Sequence, residues 1–136
     1  EENADTGFDQ ISSNQIDLQL SDRLVKLAGL SDDDVINGKV RENLRTVLHA
    51  FLRINKGKNR QYGDYVKNMS TGPRLLQRIQ LYCELKRKWF RFENMIFRMT
   101  SEDPVKAEEL MEVLADIGVY AAMGIDLVVS QDDEKK

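Results

Sequence analysis

An all-α fold is predicted, a helical bundle of three main amphipathic helices plus a short N-terminal helix, and two observations predict it. Apolar residues recur at steps of three and four through three separate stretches, the period of one helix face. Gly57, Gly63, Gly72 and Pro73 fall between the first and second stretches, which separates those helices. With 136 residues there is room for one hydrophobic core, so residues 21–129 read as a single helical domain. Residues 1–20 read as a polar, flexible arm and 130–136 as a charged tail with nothing to bury.

The short helix is expected from Ser21 to Leu30, with Leu24, Leu27 and Ala28 on one side and Gly29 ending it. Ser31 followed by Asp32, Asp33 and Asp34 gives a cap and an acidic first turn. The same aspartates also suggest a cation site, although the alternating ligands of a calcium hand are missing. The first main helix is expected from Gly38 to Asn55, where Val40, Leu44, Val47, Leu48, Phe51 and Ile54 form the stripe. His49, the one histidine, lies beside it without a sequence-near ligand partner.

Between Lys56 and Gly72 the periodicity stops, and Gly57, Gly63, Gly72 and Pro73 punctuate a long polar connection. Loops of that length are often functional. Its segment Lys58-Asn59-Arg60-Gln61-Tyr62-Gly63-Asp64-Tyr65 mixes cations, aromatics and a glycine, a set able to hold a phosphate and stack a base. A solvated connector whose tyrosines pack on the core has the same composition.

The second main helix runs from Arg74 to Met99, with Leu75, Leu76, Ile79, Tyr82, Cys83, Trp89, Phe90, Ile96 and Phe97 as its stripe. Lys86 and Glu93 fall inside that stripe and require partners, because unpaired buried charge is costly. Glu84, Lys88, Arg91 and Met95 share another face. Asp103 and Pro104 then open the third main helix, which continues to Val129 through Leu110, Val113, Leu114, Ile117 and Ala121.

The composition narrows the function classes. Apolar residues make up 41% of the chain and charged residues 32%, and no stretch reaches the roughly 20 consecutive apolar residues of a membrane span. No membrane is therefore expected as a partner. The net charge of -3 falls short of what a general nucleic-acid binder carries, although Lys and Arg concentrate between Arg53 and Arg98. A lone Cys83 excludes an internal disulfide and suits a reducing, cytoplasmic compartment.

Glu109, Glu112 and Asp116 follow one another along the edge of the third stripe, so three carboxylates share one helix flank. Acidic helix flanks are often just solvated surface. Aligned on neighbouring helices, however, carboxylates can bind Mg²⁺, a hard cation that keeps several waters for phosphate substrates. Lysine and arginine would steady the remaining phosphate oxygens.

Three segments, taken in order, resemble the nucleotide-modification-associated helical domain of phage proteins, which is similar to the MazG-like all-α nucleotide pyrophosphohydrolases. Lys58 to Asp64 resembles that family's lysine-then-Tyr-Gly loop. Lys88-Trp89-Phe90-Arg91-Phe92-Glu93-Asn94-Met95 resembles its helix with Lys, Arg and Asn at three-residue steps. Glu112-Val113-Leu114-Ala115-Asp116, continuing to Tyr120 and Ala121, resembles its final acidic helix. The similarity covers about Lys39 to Val128.

The resemblance implies a MazG-like all-α NTP pyrophosphohydrolase fold using Mg²⁺, with a deoxynucleoside triphosphate or modified deoxynucleoside triphosphate as partner. It implies Glu112 and Asp116 as catalytic metal ligands, with Glu109 and Glu93 completing the metal set. Lys88, Arg91 and Asn94 would face the nucleotide, and Lys58, Tyr62 and Asp64 would border it. The implied activity is cleavage to monophosphate and pyrophosphate in phage nucleotide metabolism, in the host cytoplasm, by a homo-oligomer. The chain departs from the pattern at two places. The earlier helix has cations among Glu84, Lys88 and Glu93 where the enzymes carry a glutamate cluster, and Val113 stands where a glutamate precedes the aspartate by three. The alternative is accordingly a non-catalytic helical module that kept the fold and binds a nucleotide or a protein.

Overall fold

The computed structural model describes residues 17–63, 72–98 and 106–133. Among them all regular structure is helical, in the order α1 (Leu18–Leu27), α2 (Asp32–Asn37), α3 (Glu42–Tyr62), α4 (Arg74–Phe97) and α5 (Ala107–Asp133). The chain divides into two compact units, Glu1–Ala50 and Phe51–Lys136, with the boundary inside α3. Most of the expected N-terminal arm, the Asp103–Pro104 helix start and the end of the tail lie outside the described residues.

In the first unit the helix ends are set by short polar side chains. Asp17 caps α1 by accepting from the Leu20 N–H at 3.1 Å, so the helix starts three residues before the expected Ser21. Gly29 ends it at φ +77°, a conformation that suits glycine. Ser31 and Asp34 then form a reciprocal capping box at the start of α2. The aspartate run therefore serves as a cap, and hydrogen bonds from the Ser31 backbone and hydroxyl hold the Asp34 carboxyl below its ordinary range.

Within the second unit α3 runs through Gly57 and stops only at Gly63, which lies at φ +80°. This corrects the expected end at Asn55. A helical glycine costs only about 0.5–1 kcal/mol, and the added turns bring Lys58 to a tertiary partner while Asn59 donates to Asn55 Oδ1 at 3.3 Å. Helix α4 opens after Gly72 and Pro73 as expected, with the Pro73 carbonyl accepting from the Gln77 N–H at 3.1 Å.

Helices α4 and α5 pack antiparallel. Gln77 and Arg78 near the start of α4 meet Gln131 near the end of α5, while Lys88 and Arg91 further along α4 meet Asp116 and Glu112 earlier on α5. The buried side chains are Met95 from α4 and Val113, Val119, Met123 and Leu127 from α5. Each fully buried side chain of this size contributes roughly 1.5–3 kcal/mol. Two glycines let neighbours come close. A Cβ on Gly124 would stand 2.9 Å from Leu81 Cδ2, and one on Gly118 would stand 2.7 Å from Phe51 Cζ.

Gln131 is the second correction. Expected in a solvated tail, it is 1% exposed within α5, which continues four residues past Val129. Its Oε1 accepts from Arg78 Nε at 2.8 Å and its amide donates to Gln77 Oε1, while Gln77 in turn donates to the Gly72 carbonyl at 3.0 Å. Buried amides persist only when satisfied in this way.

Much of each apolar stripe remains uncovered. Leu44, Val47 and Leu48 on α3 and Leu75, Tyr82, Trp89, Phe90 and Phe97 on α4 are exposed, and α5, though long and apolar enough by composition to cross a membrane, is mostly not buried within the chain.

Replacing Gln131 by leucine should strand Gln77 and Arg78 and lower stability by roughly 1–3 kcal/mol. The joint Gln77→Leu, Gln131→Leu change should cost less, since both amides of the pair then disappear. Chemical denaturation reads both, and a loss below about 0.5 kcal/mol for the single variant would show that the amide pair does not hold the helices together.

Candidate functional site

One carboxylate organises the candidate site. Asp116, in the middle of α5, faces two lysines from two other helices: Lys58 Nζ of α3 lies 3.2 Å from Oδ1, and Lys88 Nζ of α4 lies 3.5 Å from Oδ2. The Asp116 side chain is only 16% exposed. One turn later Tyr120 sets its ring beneath both ammonium groups, 5.9 Å from Lys58 Nζ and 5.6 Å from Lys88 Nζ, within reach of the ring quadrupole.

A second row lies beside this centre. Arg91 Nη1 stands 3.6 Å from Glu112 Oε1, one turn before Asp116, in a pair open to solvent on both sides. Such a pair contributes about 0–1 kcal/mol, so its geometry is readily exchanged for another partner. Glu84, one turn before Lys88 on α4, pairs with Arg87. Its charge reaches Tyr120, whose hydroxyl is pushed above the ordinary tyrosine value first by burial and then by Glu84, against the opposing pull of Lys58 and Arg87. Tyr120 is thus a neutral phenol throughout the physiological range.

The electrostatic consequence is a local excess of cation. Two ammonium groups share one carboxylate, so the inner charges leave one positive charge without a counterpart there. An anion with several oxygens answers that charge best, because each lysine donates up to three hydrogen bonds.

Of the residues singled out in the sequence, the structure brings Lys58, Lys88 and Asp116 together and sets Arg91 and Glu112 beside them. Lys58 does so from a helix and not from a loop. Glu93, half-buried on α4, Asn94, exposed on α4, and Glu109, exposed in the first turn of α5, are not drawn into this cluster. Asp64 and the side chain of Tyr62 lie outside the described residues. Three members had not been singled out for the site: Tyr120, named only within the segment that resembles the final acidic helix, and Glu84 and Arg87. For Glu84 the signal was the Glu84–Lys88–Arg91 spacing, which puts all three on one face of α4; Tyr120 on α5 had no such signal.

The donor set also bears on Mg²⁺. Among the described residues no group of three or more His, Cys, Asp or Glu side chains converges to hold a metal. An all-protein cage from Glu93, Glu109, Glu112 and Asp116 is therefore not formed among these side chains. Mg²⁺ often takes only one or two carboxylates and completes its shell with water and substrate phosphate. Asp116 and Glu112, four apart on one flank and next to cations suited to phosphate, fit that mode.

Comparison of the chain with known protein families, with curated proteins and with solved structures gives no match.

The raised Tyr120 value sets a pH test. A phenol whose folded value lies above its unfolded value of 10.0 adds stability that is complete below pH 10.0 and is lost as pH rises through the folded value. The difference between the ultraviolet phenolate titrations of the parent and Tyr120→Phe should therefore show one tyrosine ionising later than a free one. Ionisation of that tyrosine at or below 10.0 would mean that its hydroxyl is solvated and that the cluster is more open than described.

Proposed function

We propose that this chain is a helical nucleotide-binding domain of the MazG-like kind, hydrolysing a deoxynucleoside triphosphate, canonical or modified, to monophosphate and pyrophosphate. The observation that carries the reading is the Lys58–Asp116–Lys88 centre over Tyr120, in which two helices deliver ammonium groups to one carboxylate of a third. Lys58 and Lys88 hold phosphate oxygens from two sides. Arg91, its exposed pair with Glu112 easily exchanged, adds a planar fork suited to a phosphate edge.

Asp116 and Glu112 would hold Mg²⁺, which when bound neutralises phosphate charge and acidifies a water. Glu112, the more exposed of the two, would also be placed to accept the proton of the water that attacks the α-phosphorus. The bond to the leaving pyrophosphate breaks as the new P–O bond forms. Tyr120 stays protonated and closes the apolar side of the site.

A second reading, a module that binds nucleotide without hydrolysis, is favoured by one particular feature: Asp116, Glu112 and Glu84 are each already engaged by a cation. Release of pyrophosphate from a panel of canonical and modified deoxynucleoside triphosphates with Mg²⁺ or Mn²⁺ separates the two. Absence of turnover with every member would remove the hydrolase. Glu112→Gln with Asp116→Asn should leave the fold intact, change stability by no more than about 1 kcal/mol, and abolish stabilisation by Mg²⁺ plus nucleotide. Were the double variant to bind like the parent, the site would be elsewhere.

We also propose that the domain assembles with copies of itself, because the uncovered side chains on α4 include Leu75 at 71% and Phe97 at 80% exposure. Light scattering at micromolar concentration should give a mass above that of one chain, with Trp89 emission shifting to the blue as the oligomer forms. A monomer at that concentration would refute assembly through these faces.

A further inference from the structure

Lys86 and Glu93, the two charges inside the apolar stripe of α4, form no ion pair among the described residues. The Lys86 ammonium lies 5.6 Å from the centre of the Tyr82 ring one turn away, and Glu93 is half-buried. The side of α4 that meets α5 carries Gln77 and Lys88. With helical spacing Lys86 and Glu93 lie on another side, together with Tyr82, Trp89 and Phe97, all three exposed. Whatever covers that side must bring a counter-charge of each sign, because burying either charge unpaired is costly.

The spacing of the two charges selects what can do so. Two helical turns separate them, so they project within about 20° of one another and stand about 10 Å apart along the axis. Between them lie Trp89 and Phe90, 51% and 62% exposed. A second copy of α4 laid antiparallel, with a two-fold axis between Trp89 and Phe90, sets Lys86 level with the partner's Glu93 and Glu93 level with the partner's Lys86. One symmetry operation then answers both charges. A parallel copy would set ammonium against ammonium and carboxylate against carboxylate, and a parallel copy shifted by two turns would answer only one charge of each helix. A purely acidic partner or an anionic lipid surface would answer Lys86 and repel Glu93. In the antiparallel register the partner's Phe97 also comes level with Tyr82, beside a groove of about 560 Å³ lined by Leu81, Tyr82, Leu85, Trp89 and Ile117.

We infer that α4 pairs antiparallel with α4 of a second copy about a two-fold axis between Trp89 and Phe90, with a Lys86–Glu93 pair on each side of the axis. This rests on the proposal that the chain assembles with itself through α4, and it fixes the orientation and register of that assembly. Trp89, Phe90 and Phe97 supply the apolar contact. Lys86 and Glu93 set the register, since every other alignment opposes like charges or leaves one of them unanswered.

Sedimentation equilibrium of the full chain measures the dimer dissociation constant, and charge exchange tests the register. Lys86→Glu and Glu93→Lys, each alone, turn both pairs into like-charge contacts and should each weaken the dimer about tenfold or more, with helical circular dichroism unchanged. Lys86→Glu combined with Glu93→Lys in one chain should restore the affinity of the parent. An equimolar mixture of the two single variants should restore it too, because each copy then supplies the charge that the other lacks. Single variants that dimerise as tightly as the parent, or a double exchange that stays as weak as they are, would overturn the register and leave assembly through another face standing. A mixture that dimerises more tightly than the parent would mean parallel helices and overturn it as well. A parent of single-chain mass would overturn the register and the assembly proposal together. Lys86 is exposed, so Lys86→Glu alone decides by the same criterion if Glu93→Lys loses its helical signal.

Discussion

The second unit depends on how closely α5 can be approached. Its Gly118 faces the ring of Phe51 from α3, and its Gly124 faces Leu81 from α4, at separations where a methyl group would collide with either neighbour. Two glycines six residues apart thus admit two helices onto one. Had α5 carried ordinary side chains at both positions, α3 and α4 would stand off, and lysines rooted on them would not both reach Asp116. The conformational entropy lost in ordering these glycines is small beside the packing they allow. At the far end of α5 the Gln131–Gln77–Arg78 network limits sliding, because its buried amides have partners in one register.

From that packing the electrostatics of the candidate site follows. Lys58 and Lys88 come from different helices, so neither local helix geometry nor i,i+4 pairing explains their meeting. Only the tertiary arrangement brings two positive charges near each other, with Asp116 holding them from one side and the Tyr120 ring from another. Arg91–Glu112 and Arg87–Glu84 are of the ordinary exposed kind and contribute little to stability. The inner centre thus differs from these pairs in joining two cations from two helices to one carboxylate that is only 16% exposed.

How much of this was legible depends on the range of the interaction responsible. The helical class was legible because periodicity is local, and the start of α4 was legible because Gly72 and Pro73 act locally. The end of α3 was not: Gly57 and Gly63 look alike as letters, and the Lys58–Asp116 contact just beyond the first joins residues fifty-eight apart in sequence. Gln131 was misread for the same reason, since a glutamine before a run of charges looks solvated until Gln77 and Arg78 are placed against it. At the site, helical spacing put Lys88 and Arg91 on one face of α4 and Glu112 and Asp116 on one flank of α5, and the family resemblance singled them out. The joining of Lys58 to them and the part of Tyr120 required the crossing of three helices, whereas Glu84 and Arg87 pair within α4.

These observations also bear on which partner comes first to Asp116. Its oxygens are already satisfied by two ammonium groups, and a bare divalent cation would have to displace both and face their repulsion. A triphosphate carrying its own Mg²⁺ meets no such obstacle. Under the proposed reading, phosphate oxygens would draw Lys58 and Lys88 toward themselves and leave the Asp116 oxygens to the metal, so that each charge would exchange one counter-charge for another. On that reading metal and nucleotide affinity would be coupled, each improving the other by the same factor, as linkage demands. The pairing of the carboxylates, which at first counts against a metal site, would on the proposed reading make the nucleotide the carrier of the metal.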